Sequence, residues 1–216
     1  MCKMFLPSCK VKGNFKESSE RLKAYLEKKE QIDTLGCCKV ACSKMKKEDT
    51  LIVICNNCAA IMEESSLSSK IEFVWELIDQ DADFIFPDYH GEKMAIQDCW
   101  RAYEKRNVQE AIRSLMKKMN IEIVELEENY ENTKFCGADL LEPCTDVEKV
   151  FAPQRYVVEG GDMYKPLSSE EQALYLQEHC RKIEAQKVVC YCMSCLDGIK
   201  RGGKQAYHLI ELLFPA

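Results

Sequence analysis

Two stretches decide how this chain folds: Leu51-Ile52-Val53-Ile54-Cys55-Asn56-Asn57-Cys58 and Val188-Val189-Cys190-Tyr191-Cys192-Met193-Ser194-Cys195. Each is a short apolar run, the pattern of a buried strand, ending in Cys-x-x-Cys and leading into a helix-like segment. Thiols at the carboxyl end of a strand, beside a helix N-terminus, feel the positive end of the helix dipole. That favours the thiolate, the form that binds metal or attacks a disulfide. Two such sites in corresponding places of two halves point to an internal duplication.

Outward from these stretches the same plan appears twice. In the first half Met4-Phe5-Leu6 reads as a strand ending near Cys9. Residues 15–31 have helical spacing, with Phe15, Leu22, Tyr25, Leu26 and Ile32 on one face. A turn, Thr34-Leu35-Gly36-Cys37-Cys38, follows, with Cys42 just beyond it. The charged Lys44–Asp49 segment then precedes the central strand. Beyond Cys58 come a helix from residue 59, a polar loop at 65–69 and an apolar helix over Ile71–Ile78.

In the second half Lys93–Cys99 reads as a strand, 101–119 as a strongly amphipathic helix and Ile121–Leu126 as a strand. Thr133-Lys134-Phe135-Cys136-Gly137 is again a cysteine turn. An irregular insertion spans Ala138–Pro166. Ser168, with Glu170 and Glu171 behind it, caps a helix running to about Ala185. Strand 187–190, the second Cys-x-x-Cys, the basic Lys200–Lys204 turn and a helix over 205–214 complete the chain. Trp75-Glu76-Leu77-Ile78 and Ile210-Glu211-Leu212-Leu213 follow their respective Cys-x-x-Cys motifs at similar distances. The expected class is α/β: two pseudo-duplicated lobes, 1–88 and 89–216, each a mostly parallel sheet flanked by helices. Sites in such sheets lie beyond the carboxyl ends of the strands, where the repeated cysteines fall.

Composition bounds the function. With 216 residues, 46% of them hydrophobic, the chain can fill two cores. No apolar run is long enough to span a bilayer, and Met1–Pro7 has no secretory h-region, so a soluble cytoplasmic protein is expected. A net charge of −6 argues against a nucleic-acid partner. Fourteen cysteines among long amphipathic segments suggest metal ligands or redox groups in a reducing compartment, and so many thiols suggest an anaerobic setting.

The cysteines form an ordered pattern: Cys9, Cys37-Cys38 and Cys55/Cys58 in one half, Cys99, Cys136 and Cys192/Cys195 in the other. This resembles the tandem cysteine-rich (CCG) domain of the heterodisulfide reductase-like family, whose pattern is a cysteine, a distant Cys-Cys(-Gly) and a distant Cys-x-x-Cys. The resemblance covers most of the chain outside the insertion. It implies a non-cubane [4Fe-4S] cluster held by the five cysteines of a domain, which reduces a disulfide or relays electrons. Carried onto this sequence, Cys9, Cys37, Cys38, Cys55 and Cys58 match fully, with Lys39 in place of the glycine. In the second half Asp98-Cys99 matches an Asp-Pro-Cys element without its proline. Cys136-Gly137 matches the end of Cys-Cys-Gly, and Phe135 stands where the first paired cysteine belongs. Four ligands remain there, enough for a [4Fe-4S] cluster or tetrahedral zinc, with Cys190 or Cys144 as a conceivable fifth. The resemblance also implies a flavoprotein or ferredoxin-like electron donor and a small-molecule or protein disulfide as substrate.

Plainer readings stand beside it. Four-thiolate zinc would make the chain a zinc-stabilised, non-catalytic assembly module. Cys55 and Cys58 alone would suit a thioredoxin-like dithiol. Cys42 and Cys180 read as small buried apolar residues and Cys2 as inert. Of the three histidines, His208 reads as packed or surface, while His90 lies in a turn that could face the cluster side. Glu76 and Glu211 read as helix-surface residues, or as buried and paired ones.

Overall fold

A computed structural model describes residues 3–29, 32–38, 46, 48–65 and 70–215. Cys2 and Cys42, half of the Lys44–Asp49 segment and most of the 65–69 loop lie outside them. Among the described residues the strands form two four-stranded sheets, parallel throughout, with the same internal order. In the first, β2 (Asp33–Thr34), β1 (Lys3–Leu6), β3 (Thr50–Val53) and β4 (Lys70–Phe73) lie side by side. In the second the order is β6 (Ile121–Val124), β5 (Glu92–Gln97), β7 (Lys187–Cys190) and β8 (Gln205–His208). The centres of both sheets are apolar and buried: β3 carries four buried residues, and Val188, Val189 and Cys190 of β7 are fully covered. Buried parallel strands need helices on their faces, and the amphipathic segments supply them.

These are α1 (Cys9–Asn14), α2 (Lys16–Lys29), α3 (Asn56–Ser65) and α4 (Val74–Gln80) in the first half. In the second they are α5 (Arg106–Lys118), α6 (Asp146–Phe151), α7 (Ser169–Arg181), α8 (Met193–Arg201) and α9 (Leu209–Leu213). Helix α5 buries Val108, Ile112, Leu115 and Met116, the face its spacing predicts. Ser168 caps α7 through a reciprocal pair with Glu171, as its sequence predicts.

Two predicted helices begin later than their apolar content suggests. Residues 71–73 and 205–208 are strand, β4 and β8, and the helices start only at Val74 and Leu209. A short apolar run reads equally well as buried strand or buried helix, and pairing with β3 and β7 decides for strand. The same junction explains Glu76 and Glu211, which are partnered rather than idle surface residues. Glu76 Oε2 accepts from the Phe73 N–H at 3.1 Å and Glu211 Oε2 from the His208 N–H at 2.8 Å, each closing its helix start.

Pairing registers align the halves residue by residue. Leu6 pairs with Val53 and Gln97 with Cys190, so Val53 corresponds to Cys190, Cys55 to Cys192 and Cys58 to Cys195. Phe73 likewise corresponds to His208. The halves pack reciprocally: α4 of the first meets α5 of the second, and α9 of the second meets α2 of the first. The predicted insertion forms a chain of short turns around α6 that also reaches the first half. There the Ser65 hydroxyl donates to the Phe151 carbonyl, and Glu64 accepts the N–H groups of Gln154 and Arg155 at 2.7 and 2.8 Å. Among the described residues no helix is long and apolar enough to cross a membrane.

Candidate metal centre

Cys99, Cys136, Cys192 and Cys195 converge at the carboxyl ends of β5 and β7. Their sulfurs all lie within 4.8 Å of one another. Cys99 and Cys136 are 3.6 Å apart, Cys136 and Cys192 4.0 Å, and all four side chains are buried. Four buried thiols at this spacing can hold a metal ion or cluster, because they are soft ligands that converge on one point. The thiols of Cys136, Cys195 and Cys99 all donate toward Cys192 and hold its pKa well below the ordinary thiol value. Hydrogen bonding to Cys192 raises that of Cys136, and burial raises that of Cys195. A metal entering such a site displaces protons from the cluster of sulfurs.

The turn from Phe135 to Leu141 builds one wall. Gly137 has φ +58°, and a Cβ there would stand 1.7 Å from the Ser194 carbonyl oxygen. Only glycine permits both the backbone angle and this approach of the turn to α8. Gly198 packs onto the same spot, so that a Cβ would be 2.6 Å from the Gly137 Cα and 3.0 Å from the Phe135 ring. Phe135 itself is buried and stacks on His179, with centroids 3.9 Å apart and an interplanar angle of 9°. His179 in turn bonds Gln97 Oε1 at 2.6 Å. The Phe135 ring is thus part of the packed wall.

Asp98 fixes the strand end beside Cys99. It is fully buried and paired with Arg113, Nη2 to Oδ2 at 2.7 Å. It also accepts from the Tyr191 hydroxyl at 2.9 Å and the Tyr130 N–H at 2.8 Å. The Tyr191 hydroxyl accepts the Cys99 N–H at 3.2 Å, so one buried carboxylate orients both strand ends that carry ligands. Arg101, 2% exposed, supplies a cation. Its Nη1 donates to Cys136 Sγ at 3.2 Å and to Asp139 at 2.9 Å, and its Nη2 to Glu148 at 2.9 Å.

The first-half cysteines have a different geometry. Cys9, Cys37, Cys38, Cys55 and Cys58 all line one open cavity of about 320 Å³. Cys9 lies against Cys37, and Cys58 against both Cys38 and Cys55. Donation from Cys58 pulls the Cys55 thiol down to about 7, against the effect of burial. Cys58 itself is pushed up by its bonds to Cys38 and Cys55, and Cys9 by burial. Arg101, Asp139, Cys192 and Ser194 of the second half complete the lining, so the cavity lies between the lobes.

The predicted correspondence of Cys9 with Cys99 is displaced by one residue. Register places Ser8, not Cys9, opposite Cys99. Ser8 adopts φ +57°, a left-handed conformation that swings the extra residue outward, and Cys9 is exposed where Cys99 is fully buried. Neither conceivable fifth ligand joins the compact group. Cys190 is a strand residue in the place of Val53, and Cys144 lies in the insertion, its sulfur 3.8 Å from the Thr145 carbonyl. Cys180 is buried against the Ile199 carbonyl at 3.5 Å, as a small core residue. His90 is 86% exposed beside Asp88 and is not among the residues lining the thiol cavity.

Arg101, Asp139 and Tyr156 carry no motif and are invisible to spacing arguments. The one available signal is an arginine set among apolar residues, Trp100-Arg101-Ala102, directly after a ligand-type cysteine. Fold and site together define a class: a two-lobed parallel α/β protein with a buried four-cysteine site and a five-cysteine cavity between its lobes. No family model matches the chain, and no curated protein matches it either.

Proposed function

We propose that the chain is a disulfide reductase-like iron–sulfur oxidoreductase subunit of the tandem cysteine-rich kind, with unlike centres in its two lobes. The first-lobe cavity holds an iron–sulfur cluster, and the second-lobe site holds one tetrahedral ion, zinc. The observation that carries this reading is sulfur spacing. Metal–sulfur bonds of about 2.3 Å around one tetrahedral ion put the sulfurs about 3.8 Å apart. The second-lobe separations of 3.6 and 4.0 Å agree with that figure. A four-iron cube would hold its terminal thiolates farther apart than these separations, because each is bound to a different iron. Four thiolates on a divalent ion leave two negative charges, which the Arg101 cation partly offsets.

The five first-lobe thiols are arranged around an opening wide enough for a group of several irons and an incoming sulfur. When bound there, an iron–sulfur cluster supplies one-electron transfer. The chain contributes the thiolate ligands, the depressed pKa of Cys55, and a wall of Arg101, Asp139 and Ser194 against which a substrate disulfide would lie. Electrons would arrive from a flavoprotein or ferredoxin-like partner. The zinc-stabilised assembly module is the second reading, favoured by the single-ion spacing of the second lobe.

Iron, sulfide and zinc per chain, measured on protein purified without oxygen, test both. About four irons, four sulfides and one zinc are expected. Zinc without iron would sink the redox reading and leave the module. About eight irons would refute the single-ion assignment.

A further inference from the structure

Tyr156 belongs to the second lobe's insertion, but its hydroxyl ends in the first lobe. The ring is 1% exposed, edge-on to Trp100 at 6.3 Å between centroids, and the Arg101 guanidinium carbon lies 5.4 Å from its centre. Its hydroxyl donates to Oδ1 of Asn57, inside the first Cys-x-x-Cys. Phenylalanine would fill the same volume, and a buried phenol with no partner costs about 1–3 kcal/mol. The bond to Asn57 therefore accounts for a tyrosine here.

A carboxamide whose oxygen is committed to a donor turns its NH₂ the other way. Asn57 lines the same cavity as the five first-lobe cysteines. Position 194, the counterpart of 57, is also held by second-lobe groups. Ser194 donates to Asp139 and accepts from Arg101 Nη1 at 3.4 Å.

We propose that Tyr156 is a positioning residue for the first-lobe centre: it holds the Asn57 oxygen and thereby aims amide N–H donors at the sulfurs of a thiolate-bound group. This rests on the iron–sulfur reading above. Donors directed at cluster sulfurs favour the more negative, reduced state and so raise its potential.

The test is a redox titration of the anaerobically purified full chain, followed by electron paramagnetic resonance, for wild type, Tyr156→Phe and Asn57→Leu. Tyr156→Phe keeps the ring packing and frees the amide to flip, while Asn57→Leu keeps the shape and removes the donors. Both should shift the midpoint potential of the iron centre to more negative values, with iron and zinc content unchanged. The double variant should shift it no further than Asn57→Leu alone. A merely structural bond would lower the melting temperature and leave the potential where it was. Unchanged potentials in both variants overturn the proposal, and Asn57→Leu decides alone should Tyr156→Phe fail to fold. A wild-type chain without iron is a different result, seen before any variant is made: it removes the iron–sulfur reading and this inference with it.

Discussion

Acid should weaken this fold through His208. The side chain is 1% exposed at the start of α9, within 5.4 Å of the Phe15 ring and 6.2 Å of Trp75, centroid to centroid. Its Nδ1 accepts the Ile210 N–H at 3.3 Å, which a ring protonated at both nitrogens cannot do. Burial holds its pKa down to about 4, against about 6.5 in an unfolded chain. As pH falls, the unfolded chain takes up its proton first. The contribution is therefore complete above the unfolded value, is lost as pH falls through it, and reaches its floor below the folded one. Between pH 7.5 and 5.0 that loss integrates to about 2 kcal/mol. His208→Phe isolates it, since phenylalanine is what the first lobe uses at the corresponding Phe73. At pH 7.5 the variant should be about 1 kcal/mol less stable, for the lost cap. Urea unfolding of both proteins at matched metal content, at pH 7.5 and 5.0, gives the double difference. His179, also held near 4 by burial, titrates in both and cancels. A gap that moves by about 2 kcal/mol in the variant's favour at pH 5.0 is expected. Parallel pH dependences would refute the reasoning.

Two further outcomes follow from the second-lobe site. Arg113→Met strands the fully buried Asp98 carboxylate, and breaking such a pair costs about 3–5 kcal/mol. Denaturant unfolding should show that loss, with faster transfer of any second-lobe metal to a chelator because Asp98 orients both Cys99 and Tyr191; retention of wild-type stability would contradict the network. Cys190→Val copies Val53 into the second lobe and should leave metal content unchanged, with a stability change below about 1.5 kcal/mol. Loss of metal from that variant would restore Cys190 as a ligand.

The α/β class, the duplication and the strands carrying Cys-x-x-Cys were legible because burial on both faces imposes continuous apolar runs. Ladder pairing overrode local pattern at 71–73 and 205–208, where segments too short to display a period are strand. The likeness of Trp75-Glu76-Leu77-Ile78 to Ile210-Glu211-Leu212-Leu213 was legible as repetition, but its cause, a carboxylate closing a strand-to-helix junction, needed the register. Cysteine order singled out the residues that meet in the second lobe. It could not give their spacing, nor the support from Arg101, Asp98 and Tyr156, because those contacts join residues from 15 to 99 positions apart.

One scaffold thus carries two arrangements of cysteines, and small local differences account for the divergence. In the second lobe Cys99 directly follows Asp98, which is tied to Arg113, and Phe135 stacks on His179 in the adjoining wall. In the first lobe one additional residue, a left-handed Ser8 and an intact Cys37-Cys38 pair leave the sulfurs spread around an opening. The reciprocal packing of α4 on α5 and α9 on α2 sets the lobes face to face, so the sealed site becomes a wall of the open one. Cys192 belongs to both: it is a member of the compact four and lines the cavity of the five. A metal bound in the second lobe would therefore fix the charge and position of a sulfur that lines the first-lobe cavity, and removing it should disturb the reactivity of the first-lobe thiols as well.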